Sequence, residues 1–448
     1  MTLSWLLYNI ATLPLAAVLA PLPVVTRLCS FQGRGGRWRQ RFGSYPAAHI
    51  PPGRANRPRL WIHAVSVGEV GVAATLIQAL DEVLPGLDLV LSTTTSQGQQ
   101  VAAARLPQRV RRIYFPLDLL YSVAPALRRV RPDLIVCLET ELWPNFLACA
   151  SHLDIPAVLL NGRISERSFA RYLRLRPFLA PVLQGFAALA MVSDADAARI
   201  TAMGAPPERV VVSGNLKNVD LLQRAVPARV DKLRQTLQLT SREPVLVAGS
   251  IRAQELAWLP EVYLELQRQV PELVAIFAPR HLQRLPRLQR WLRDHDLAYQ
   301  LYSRLIDGGE TRKAGVILVD RMGALFDLYG LADVVFCGGS LIPLGGQNIL
   351  EPAAWGKPVF YGPHMENFAE ARTLLESAGC GWTVADKQEL LHRLQQALAR
   401  PQEFRDKAAR GRQLLQGQQH IAIQQARIVR EVIKTGTWFK VQGASFRR

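Results

Sequence analysis

From about residue 59 onward, short apolar runs alternate with longer segments in which apolar residues recur with the 3.6-residue period of a helix. The run at 60–65 predicts a strand, and the segment at 72–84 predicts a helix with one apolar face. Further strands of this first series are predicted at 87–95, 113–116, 133–139, 155–162, 188–193 and 210–215. The strand runs are apolar along their whole length, as parallel strands covered on both faces must be. The pattern therefore predicts an α/β fold with doubly wound parallel sheets.

A polar, charged stretch at 218–243 separates this series from a second one. Strands of the second series are predicted at 244–250, 273–279, 315–320, 333–340 and 358–363. Two such series in tandem predict two Rossmann-like domains facing each other across a cleft, with ligands at the carboxyl ends of the strands. We predict the domains at 29–217 and 244–412, with 218–243 as the linker and 413–448 as a helical tail.

The N-terminus differs from the rest of the chain in its lack of charge. Residues 1–26 carry no charged side chain, and 3–26 form an apolar segment long enough to enter or span a bilayer. Arginines follow, beginning with Arg27, Arg34 and Arg37, and basic residues in this position keep the chain beyond them in the cytoplasm. We therefore expect a membrane anchor at 1–28. A single span, a kinked segment in one leaflet and a buried arm packed on the protein all fit the pattern.

The formal net charge is +18, and most of the excess is arginine. Nucleic acid, anionic lipid and anionic small substrates all attract such a chain. Because no nucleic-acid-binding motif accompanies the charge, we expect a membrane or phosphate partner and no nucleic acid. The five cysteines are odd in number and lack metal-like spacing, which indicates buried thiols in a reducing compartment rather than disulfides or a structural zinc site.

Three glutamates follow predicted strands of the first domain. Glu69 comes at a helix start after the first strand, where it is either a carboxylate stabilised by the helix dipole or a general base. His63 and Ser66 are on the same predicted loop and are candidates to orient it. Glu139 and Glu141 close another apolar strand, so both cannot be core residues. One of them is expected to face the cleft, although strand-end solvation alone also accounts for the pair.

Other charged groups of the first domain have two interpretations each. Lys217 ends the last strand segment and is either a surface lysine or a group that stabilises charge on a departing phosphate. The three arginines in 161–172 are either a solvated face or an anion-recognition element. Asp194 and Asp196 have a metal-binding D-x-D spacing, but their position after Ser193 at a helix start predicts capping. We therefore predict no catalytic metal.

The second domain carries small-residue turns at the ends of its predicted strands. The turn in 248–255 can offer backbone N–H groups to a phosphate. Arg280 and Gly323 follow two further strands, as candidates for phosphate or base contacts. The glycine pair and helix start at 345–348 predict an anion-binding helix N-terminus. Glu351, one turn into that helix, is placed to accept hydrogen bonds from ribose hydroxyls. Together these residues predict a nucleotide site.

In their order along the chain, these motifs resemble those of the 3-deoxy-D-manno-octulosonic acid (Kdo) transferases, which add Kdo to the lipid A precursor. The resemblance covers nearly the whole chain and is carried by SVGE, LSTTT, YFPLD, ETELWPN, NGRISERS, SGNLK, APRH and GGQNILEPA. It implies the GT-B glycosyltransferase fold, CMP-Kdo as donor, the tetraacylated disaccharide of lipid A as acceptor and inversion at the anomeric carbon. It also implies an enzyme without a cofactor, working at the cytoplasmic face of a bacterial inner membrane against an anionic surface.

The resemblance assigns roles to individual residues of this sequence. The catalytic base falls on Glu69, and the charge-stabilising positions fall on Glu139 and Lys217. The implied contacts to CMP are Pro279, Arg280, Met322, Gly323, Ala324, Asn348, Ile349, Leu350 and Glu351.

Two other functions remain open from the sequence. The first is a GT-B transferase that uses a UDP-sugar on a lipid acceptor, since it would share the fold, the glycine-rich loop and the ribose-binding glutamate. The second is a non-catalytic membrane adaptor on a degenerate transferase fold. The motifs also leave the number of transferred Kdo residues open, because that number depends on the shape of the acceptor site.

Overall fold

The computed structural model describes residues 5, 6, 8–12, 34–52 and 57–438. The chain divides into two compact units, the first formed by Met1–Asp220 with Gln419–Arg448 and the second by Leu221–Gln418. Most of the predicted anchor at 1–28 lies outside the described residues, and its described part, 5, 6 and 8–12, is helical. No helix within the described ranges is long and apolar enough to cross a membrane.

The first unit is built on a parallel sheet. Its strands are β1 (Arg59–His63), β2 (Asp88–Thr93), β3 (Arg111–Tyr114), β4 (Leu134–Leu138), β5 (Ala157–Gly162), β6 (Phe186–Met191) and β7 (Val210–Val212). They lie in the order β3-β2-β1-β4-β5-β6-β7, and every pairing is parallel. The side chains of β1 alternate between two cores, with Leu60 and Ile62 on one face and Trp61 on the other. The sheet is thus covered on both faces, which is why its strands are apolar throughout.

Helices follow the strands of the first unit and cover the two faces. They are α1 (Arg34–Arg41), α2 (Val67–Val83), α3 (Ser96–Arg105), α4 (Leu120–Val130), α5 (Pro144–His152), α6 (Glu166–Arg174), α7 (Arg176–Gln184) and α8 (Asp194–Ala202). A short 3₁₀ helix, Pro207–Arg209, precedes β7. The next helix, α9 (Leu216–Arg224), begins in the first unit and ends in the second.

The second unit repeats this design with its own parallel sheet. Its strands are β8 (Val245–Ile251), β9 (Val274–Pro279), β10 (Tyr299–Leu301), β11 (Val316–Leu318), β12 (Val334–Cys337), β13 (Val359–Tyr361) and β14 (Gly381–Thr383). Their order is β10-β11-β9-β8-β12-β13-β14. The edge strands β10 and β14 were absent from the sequence prediction. Each has three residues that are only half-buried, so neither forms the apolar run by which the equally short but buried β11 and β13 were found.

The helices of the second unit are mostly longer than the strands they connect. They are α10 (Pro227–Thr236), α11 (Glu255–Gln269), α12 (Leu285–Asp294), α13 (Tyr302–Ile306), α14 (Leu325–Leu331), α15 (Leu350–Ala354), α16 (Ala369–Ser377), α17 (Lys387–Ala399) and α18 (Pro401–Gln416). Two 3₁₀ helices, Leu282–Arg284 and Glu366–Phe368, precede α12 and α16.

The stretch predicted as a linker, 218–243, is folded in the structure. It contains most of α9 and all of α10, and from Leu221 onward it belongs to the second unit. Leu221, Val230 and Leu237 are buried in the core of that unit. These apolar residues are widely spaced among charged ones, because only one face of each helix is covered. The high average polarity of the stretch therefore concealed its helices.

The C-terminal segment also divides differently from the predicted tail at 413–448. α18 ends at Gln416, and a separate helix, α19 (His420–Thr435), belongs to the first unit. Its apolar face is buried in a core shared with α2, and Ile421, Ile428 and Val432 lie in that core as their helical spacing predicted. Gln425 Nε2 donates to Ser213 Oγ at 2.9 Å.

Both sheets have a point at which the strand order reverses direction. It lies between β1 and β4 in the first unit and between β8 and β12 in the second. In open α/β sheets, ligands bind at such points, outside the carboxyl ends of the strands. The loops that follow these four strands are therefore the first place to look for chemistry in each unit.

Removing buried volume from α19 tests its assignment to the first unit. Ile421 is 4% exposed in the first-unit core, so Ile421→Ala is expected to lower the free energy of unfolding by about 2–5 kcal/mol. The same change at the half-buried Ile423 of this helix is the matched control and should cost about 1 kcal/mol or less. Urea unfolding followed by circular dichroism measures both. Equal losses at the two positions would contradict the packing of α19 described here.

Candidate active site

Glu69 lies in the first turn of α2 and is held there by a reciprocal helix cap. Ser66 is the N-cap residue, and its Oγ accepts from the Glu69 backbone N–H at 3.3 Å. In return, Glu69 Oε1 accepts from Ser66 Oγ at 2.7 Å, and Oε2 accepts from the Val65 backbone N–H at 2.8 Å. Both carboxylate oxygens are therefore fixed in position, and the side chain is 6% exposed. The predicted position of Glu69 at a helix start is confirmed, and the general-base interpretation stays open.

The surroundings of Glu69 make its carboxylate more basic than usual. Burial raises the pKa of Glu69, while the hydrogen bonds from Ser66 and Val65 oppose the rise. The charge of Glu139 raises this pKa further, and the charge of Lys217 lowers it. A carboxylate with a raised pKa accepts a proton more readily, which is the property that a general base requires.

Glu139 and Lys217 form an ion pair, although they are far apart in the sequence. Lys217 Nζ lies 2.5 Å from Glu139 Oε1, and the two side chains are 41% and 21% exposed. Glu139 directly follows β4 in a left-handed backbone conformation with φ of 58°, and its N–H donates to the Leu160 carbonyl. Lys217 begins α9 just beyond β7. The structure thus brings together all three residues that the sequence singled out as catalytic, since both charges act on Glu69.

Glu141 has surroundings different from those of Glu139. Its Oε2 accepts from Trp143 Nε1 at 2.8 Å and lies 3.9 Å from His63 Nε2. Burial raises the pKa of Glu141 to about 7, and the charge of Glu69 contributes to the rise. Burial also lowers the pKa of His63 to about 3, so the imidazole is neutral and the pair is not an ion pair at neutral pH.

The expectation that His63 orients Glu69 was wrong. His63 is the last residue of β1 rather than a loop residue, and it is completely buried. Its Nδ1 lies 3.0 Å from Ser92 Oγ, and its ring stacks on Phe115 with centroids 3.7 Å apart. Its Nε2 faces Glu141. Of the two candidates from the sequence, Ser66 is the one that contacts Glu69.

The D-x-D pair is a helix cap, as predicted. Ser193 is the N-cap of α8, and its Oγ donates to Asp196 Oδ2 at 2.6 Å. Asp196 Oδ1 also accepts from the Ile164 backbone N–H at 2.7 Å, while Asp194 is exposed in the first turn. Across the described part of the chain, no group of three or more His, Cys, Asp or Glu side chains is arranged to hold a metal ion. The arginines of 161–172 are exposed.

The second unit has a cavity of about 410 Å³ at the carboxyl ends of its strands. Six of the nine predicted nucleotide contacts line it: Pro279, Arg280, Met322, Gly323, Asn348 and Glu351. They come from the segments after β9 and β11 and from the segment leading into α15. The volume lies within the range of small-molecule sites, and the walls combine arginines, a carboxylate and aromatic rings.

The other three predicted contacts do not line this cavity with their side chains. Ile349 is completely buried and Leu350 is 6% exposed, and both belong to the hydrophobic core of the second unit. Ala324 is the N-cap residue of α14 and packs against the same core. The side chains of consecutive residues cannot all point the same way. The assignment of all four residues at 348–351 to the nucleotide site therefore included two core residues.

Arg224 lines the cavity and was missed by the sequence analysis. Its guanidinium carbon lies 4.1 Å from the ring centre of Phe326. Burial raises the pKa of Glu351, and the charges of Arg224 and Arg280, together with a hydrogen bond from Asn348, oppose the rise. Arg224 was assigned to the linker, where nothing in the sequence distinguished it from the other arginines. Its place beside Glu351 depends on the fold of α9.

Close packing accounts for the glycine pair that follows β12. Gly345 and Gly346 have φ of 80° and 72°, and a Cβ atom on them would lie 2.0 Å from Asn367 and 2.4 Å from Met365. The helix that follows, α15, has five residues, and the N–H of Leu350 already donates to Asn348 Oδ1. Anion binding by the remaining N–H groups of this helix start stays a prediction.

The turn at 248–255 is likewise occupied by the protein itself. Glu255 is completely buried, and its carboxylate accepts from the backbone N–H groups of Arg252, Gly339, Ser340 and Leu341 at 2.6–3.2 Å. Among these donors, only the N–H of Arg252 belongs to the turn that was predicted to bind phosphate. Glu255 therefore fixes the loop after β12 against the turn after β8.

Comparison with known proteins agrees with these features. Residues 36–219 match the family described as 3-deoxy-D-manno-octulosonic-acid transferase (kdotransferase). The 3-deoxy-D-manno-octulosonic acid transferase of Haemophilus influenzae is 33% identical over 377 residues, which cover 83% of this chain and 85% of that protein. A bifunctional glycosyltransferase/methyltransferase of Fusobacterium nucleatum is 33% identical over 334 residues, or 74% of this chain. The match spans 51% of that relative, about half its length.

The fold has relatives at much lower sequence identity. The UDP-GlcNAc 2-epimerase of Neisseria meningitidis is 15% identical and superposes with a TM-score of 0.60, covering 84% of this chain and 100% of that one. This likeness and the two parallel sheets confirm the α/β, GT-B fold class predicted from the sequence. The identity to the Haemophilus protein over most of both chains shows that this chain belongs to the 3-deoxy-D-manno-octulosonic acid transferase family of glycosyltransferases.

Proposed function

We propose that this chain transfers Kdo from CMP-Kdo to the tetraacylated lipid A precursor, with inversion at the anomeric carbon and without a metal ion. The observation that carries the proposal is the buried Glu69 carboxylate, fixed through both oxygens at the point where the first sheet reverses its order. Family membership supports Kdo as the transferred sugar.

In the proposed reaction, Glu69 removes the proton from a primary hydroxyl of the acceptor. The hydroxyl oxygen forms a bond to the anomeric carbon of Kdo as the bond from that carbon to the CMP oxygen breaks, and CMP leaves with the electron pair. A single displacement of this kind inverts the anomeric configuration. The raised pKa of Glu69 supports its role as the proton acceptor.

Lys217 supplies the positive charge that offsets the charge developing on the departing CMP phosphate. Glu139 holds the ammonium group in place through the 2.5 Å ion pair. A single phosphate accumulates less charge on departure than a diphosphate, so side chains suffice and a metal ion is less needed. The capping roles of Asp194 and Asp196 are consistent with this proposal, because neither is required as a metal ligand.

The cavity of the second unit is the proposed CMP site. The carboxylate of Glu351 would accept hydrogen bonds from the ribose hydroxyls, and its place between Arg224 and Arg280 supports an anionic ligand beside it. Arg280 is exposed at the end of β9 and free to adapt to a phosphate. Gly323, with φ of 90° and open space around it, allows the backbone to approach a base.

The enzyme is proposed to work at the cytoplasmic face of the bacterial inner membrane. The uncharged N-terminal segment followed by arginines supports this location, as does the net charge of +18. A phosphorylated lipid acceptor and an anionic membrane surface both attract such a chain.

Substitution of the proposed base is the first test. In Glu69→Gln the amide can still cap α2, because glutamine also serves in a capping box, but it cannot take a proton. We expect kcat for Kdo transfer from CMP-Kdo to a tetraacyldisaccharide acceptor to fall by about 10²–10⁴-fold with little change in KM. Wild-type activity should survive a metal chelator.

Glu166→Gln is the matched control, because Glu166 occupies the first turn of the exposed helix α6. It should retain wild-type activity. A fully active Glu69→Gln enzyme would move the base to Glu139 or Glu141, whereas no transfer by the wild type would refute the proposed reaction.

The nucleotide proposal predicts which ligand stabilises the protein. CMP should raise the melting temperature, and UDP at the same concentration should have little effect, because only a ligand that binds the folded state stabilises it. Glu351→Gln and Arg280→Ala should each reduce the CMP-dependent shift. A larger shift with UDP than with CMP would favour the UDP-sugar transferase instead. Differential scanning fluorimetry of the full chain measures all of these.

The raised pKa of Glu141 predicts a pH-dependent stability. The folded protein keeps this carboxyl protonated up to about pH 7, whereas in the unfolded chain it ionises near about 4.3. Stability from this group is therefore fully present below the unfolded pKa and is lost as pH rises through the folded pKa.

Glu141→Gln removes the loss of stability that ionisation of Glu141 causes at higher pH. Relative to the wild type, we expect the variant to gain about 1–3 kcal/mol of unfolding free energy between about pH 4.5 and about pH 8. Urea unfolding at the two pH values measures the gain, with Glu166→Gln correcting for the general effect of one fewer carboxyl. A pH-independent difference between variant and wild type would show that Glu141 ionises like an exposed glutamate.

A further inference from the structure

The first unit contains an apolar groove that the proposed reaction does not use. It has a volume of about 460 Å³, and α4, α5 and α7 form its walls. Leu147 and Ala148 of α5 face Phe178 and Val182 of α7 across it, and Trp5 closes one side. The volume and the apolar lining are those of a site for a small apolar molecule or chain.

The groove and the carboxylate cluster share one helix. α5 begins at Pro144, directly after Trp143, whose indole N–H donates to Glu141. Leu147, one turn further along the same helix, lies in the groove wall. A ligand in the groove is therefore held on the same rigid element that positions the site around Glu69.

The N-terminal segment is tied to this groove. Tyr8 Oη donates to Asp118 Oδ2 at 2.9 Å, and Asn9 Nδ2 donates to Asn145 Oδ1 at 2.9 Å. The ring of Tyr8 lies 5.4 Å from that of Phe178 in the groove wall. Asp118 in turn accepts from the backbone N–H of Asn145 and so caps α5. The described part of the predicted membrane anchor is thereby fixed beside the groove.

The surface next to the groove is both apolar and basic. Leu173 and Leu175 are 42% and 47% exposed at the junction of α6 and α7, and Arg174 and Arg176 alternate with them. Arg128 lines the groove itself. Alternating leucine and arginine suits the boundary between lipid chains and anionic headgroups. The charge and the lining together match a ligand with an apolar chain and a phosphate.

We propose that this groove binds one acyl chain of the phosphorylated lipid acceptor. The acyl chain lies between α5 and α7, the arginine rim faces the acceptor's phosphate, and the sugar extends toward Glu69. The groove thereby selects acylated over chain-free acceptors. This inference rests on the proposed function for the identity of the acceptor, whereas occupation of the groove can be measured without catalysis.

Photo-cross-linking tests the occupant. The probe is a tetraacyldisaccharide 4'-phosphate with a diazirine on one acyl chain, mixed with the full-length protein in vesicles of phosphatidylethanolamine and phosphatidylglycerol. We expect adducts on α5 and α7 peptides. Ala148→Trp, which fills the groove, should reduce these adducts by about fivefold or more. It should also raise KM for the tetraacylated acceptor by about tenfold, because one acyl chain loses its contacts with the groove. KM for the deacylated disaccharide phosphate should not change.

The matched control is Ala103→Trp, the same substitution at an exposed position of α3. It should behave as the wild type in both assays. Adducts confined to other regions, adducts that Ala148→Trp leaves unchanged, or a groove labelled only by a diazirine phospholipid would each overturn the inference. The inference would also be overturned if no adducts form because residues 13–33 of the chain occupy the groove. If neither acceptor receives Kdo, the proposed function fails, and the adduct map still decides whether the groove binds the probe.

Discussion

The parallel pairing of β1 with β4 determines where the candidate site of the first unit lies. His63 at the end of β1 is in register with Cys137 near the end of β4, so the loops that leave these two strands begin side by side. One loop carries Glu69, and the other carries Glu139 and Glu141. Since the strand order reverses between these strands, their loops separate and leave space for a ligand. A one-residue slip in this register would move the carboxylates apart.

Three neighbouring carboxylates raise an electrostatic problem that the structure resolves in three ways. Glu139 is paired with Lys217. Burial and the neighbouring charges raise the pKa of Glu141 to about 7, which keeps it neutral in moderately acidic solution. The hydrogen bonds from the helix cap of Glu69 oppose the rise that burial causes in its pKa. Like charges that cannot all ionise are thus given different environments, which is how acid and base roles are separated in enzyme sites.

The sequence predicted the elements whose apolar pattern is continuous and missed those whose burial depends on tertiary context. Strands covered on both faces are apolar throughout, so most were found, whereas the edge strands β10 and β14 are only half-buried and lack an apolar run. In the second unit, motif matching assigned contacts to Ile349 and Leu350, but it could not distinguish cavity side chains from core ones. Arg224 could be identified as a site residue only from the fold, because the path of α9 brings it to Glu351.

The helix cap places a limit on Glu69 as a base. Each proton that Glu69 takes up neutralises the carboxylate and weakens its hydrogen bonds from Val65 and Ser66. Protonation of Glu69 therefore weakens one half of the capping box at the start of α2. Release of the proton restores the cap. In the proposed role of Glu69 as a base, the hydrogen bonds that hold the carboxylate in position therefore also favour release of the proton it takes up.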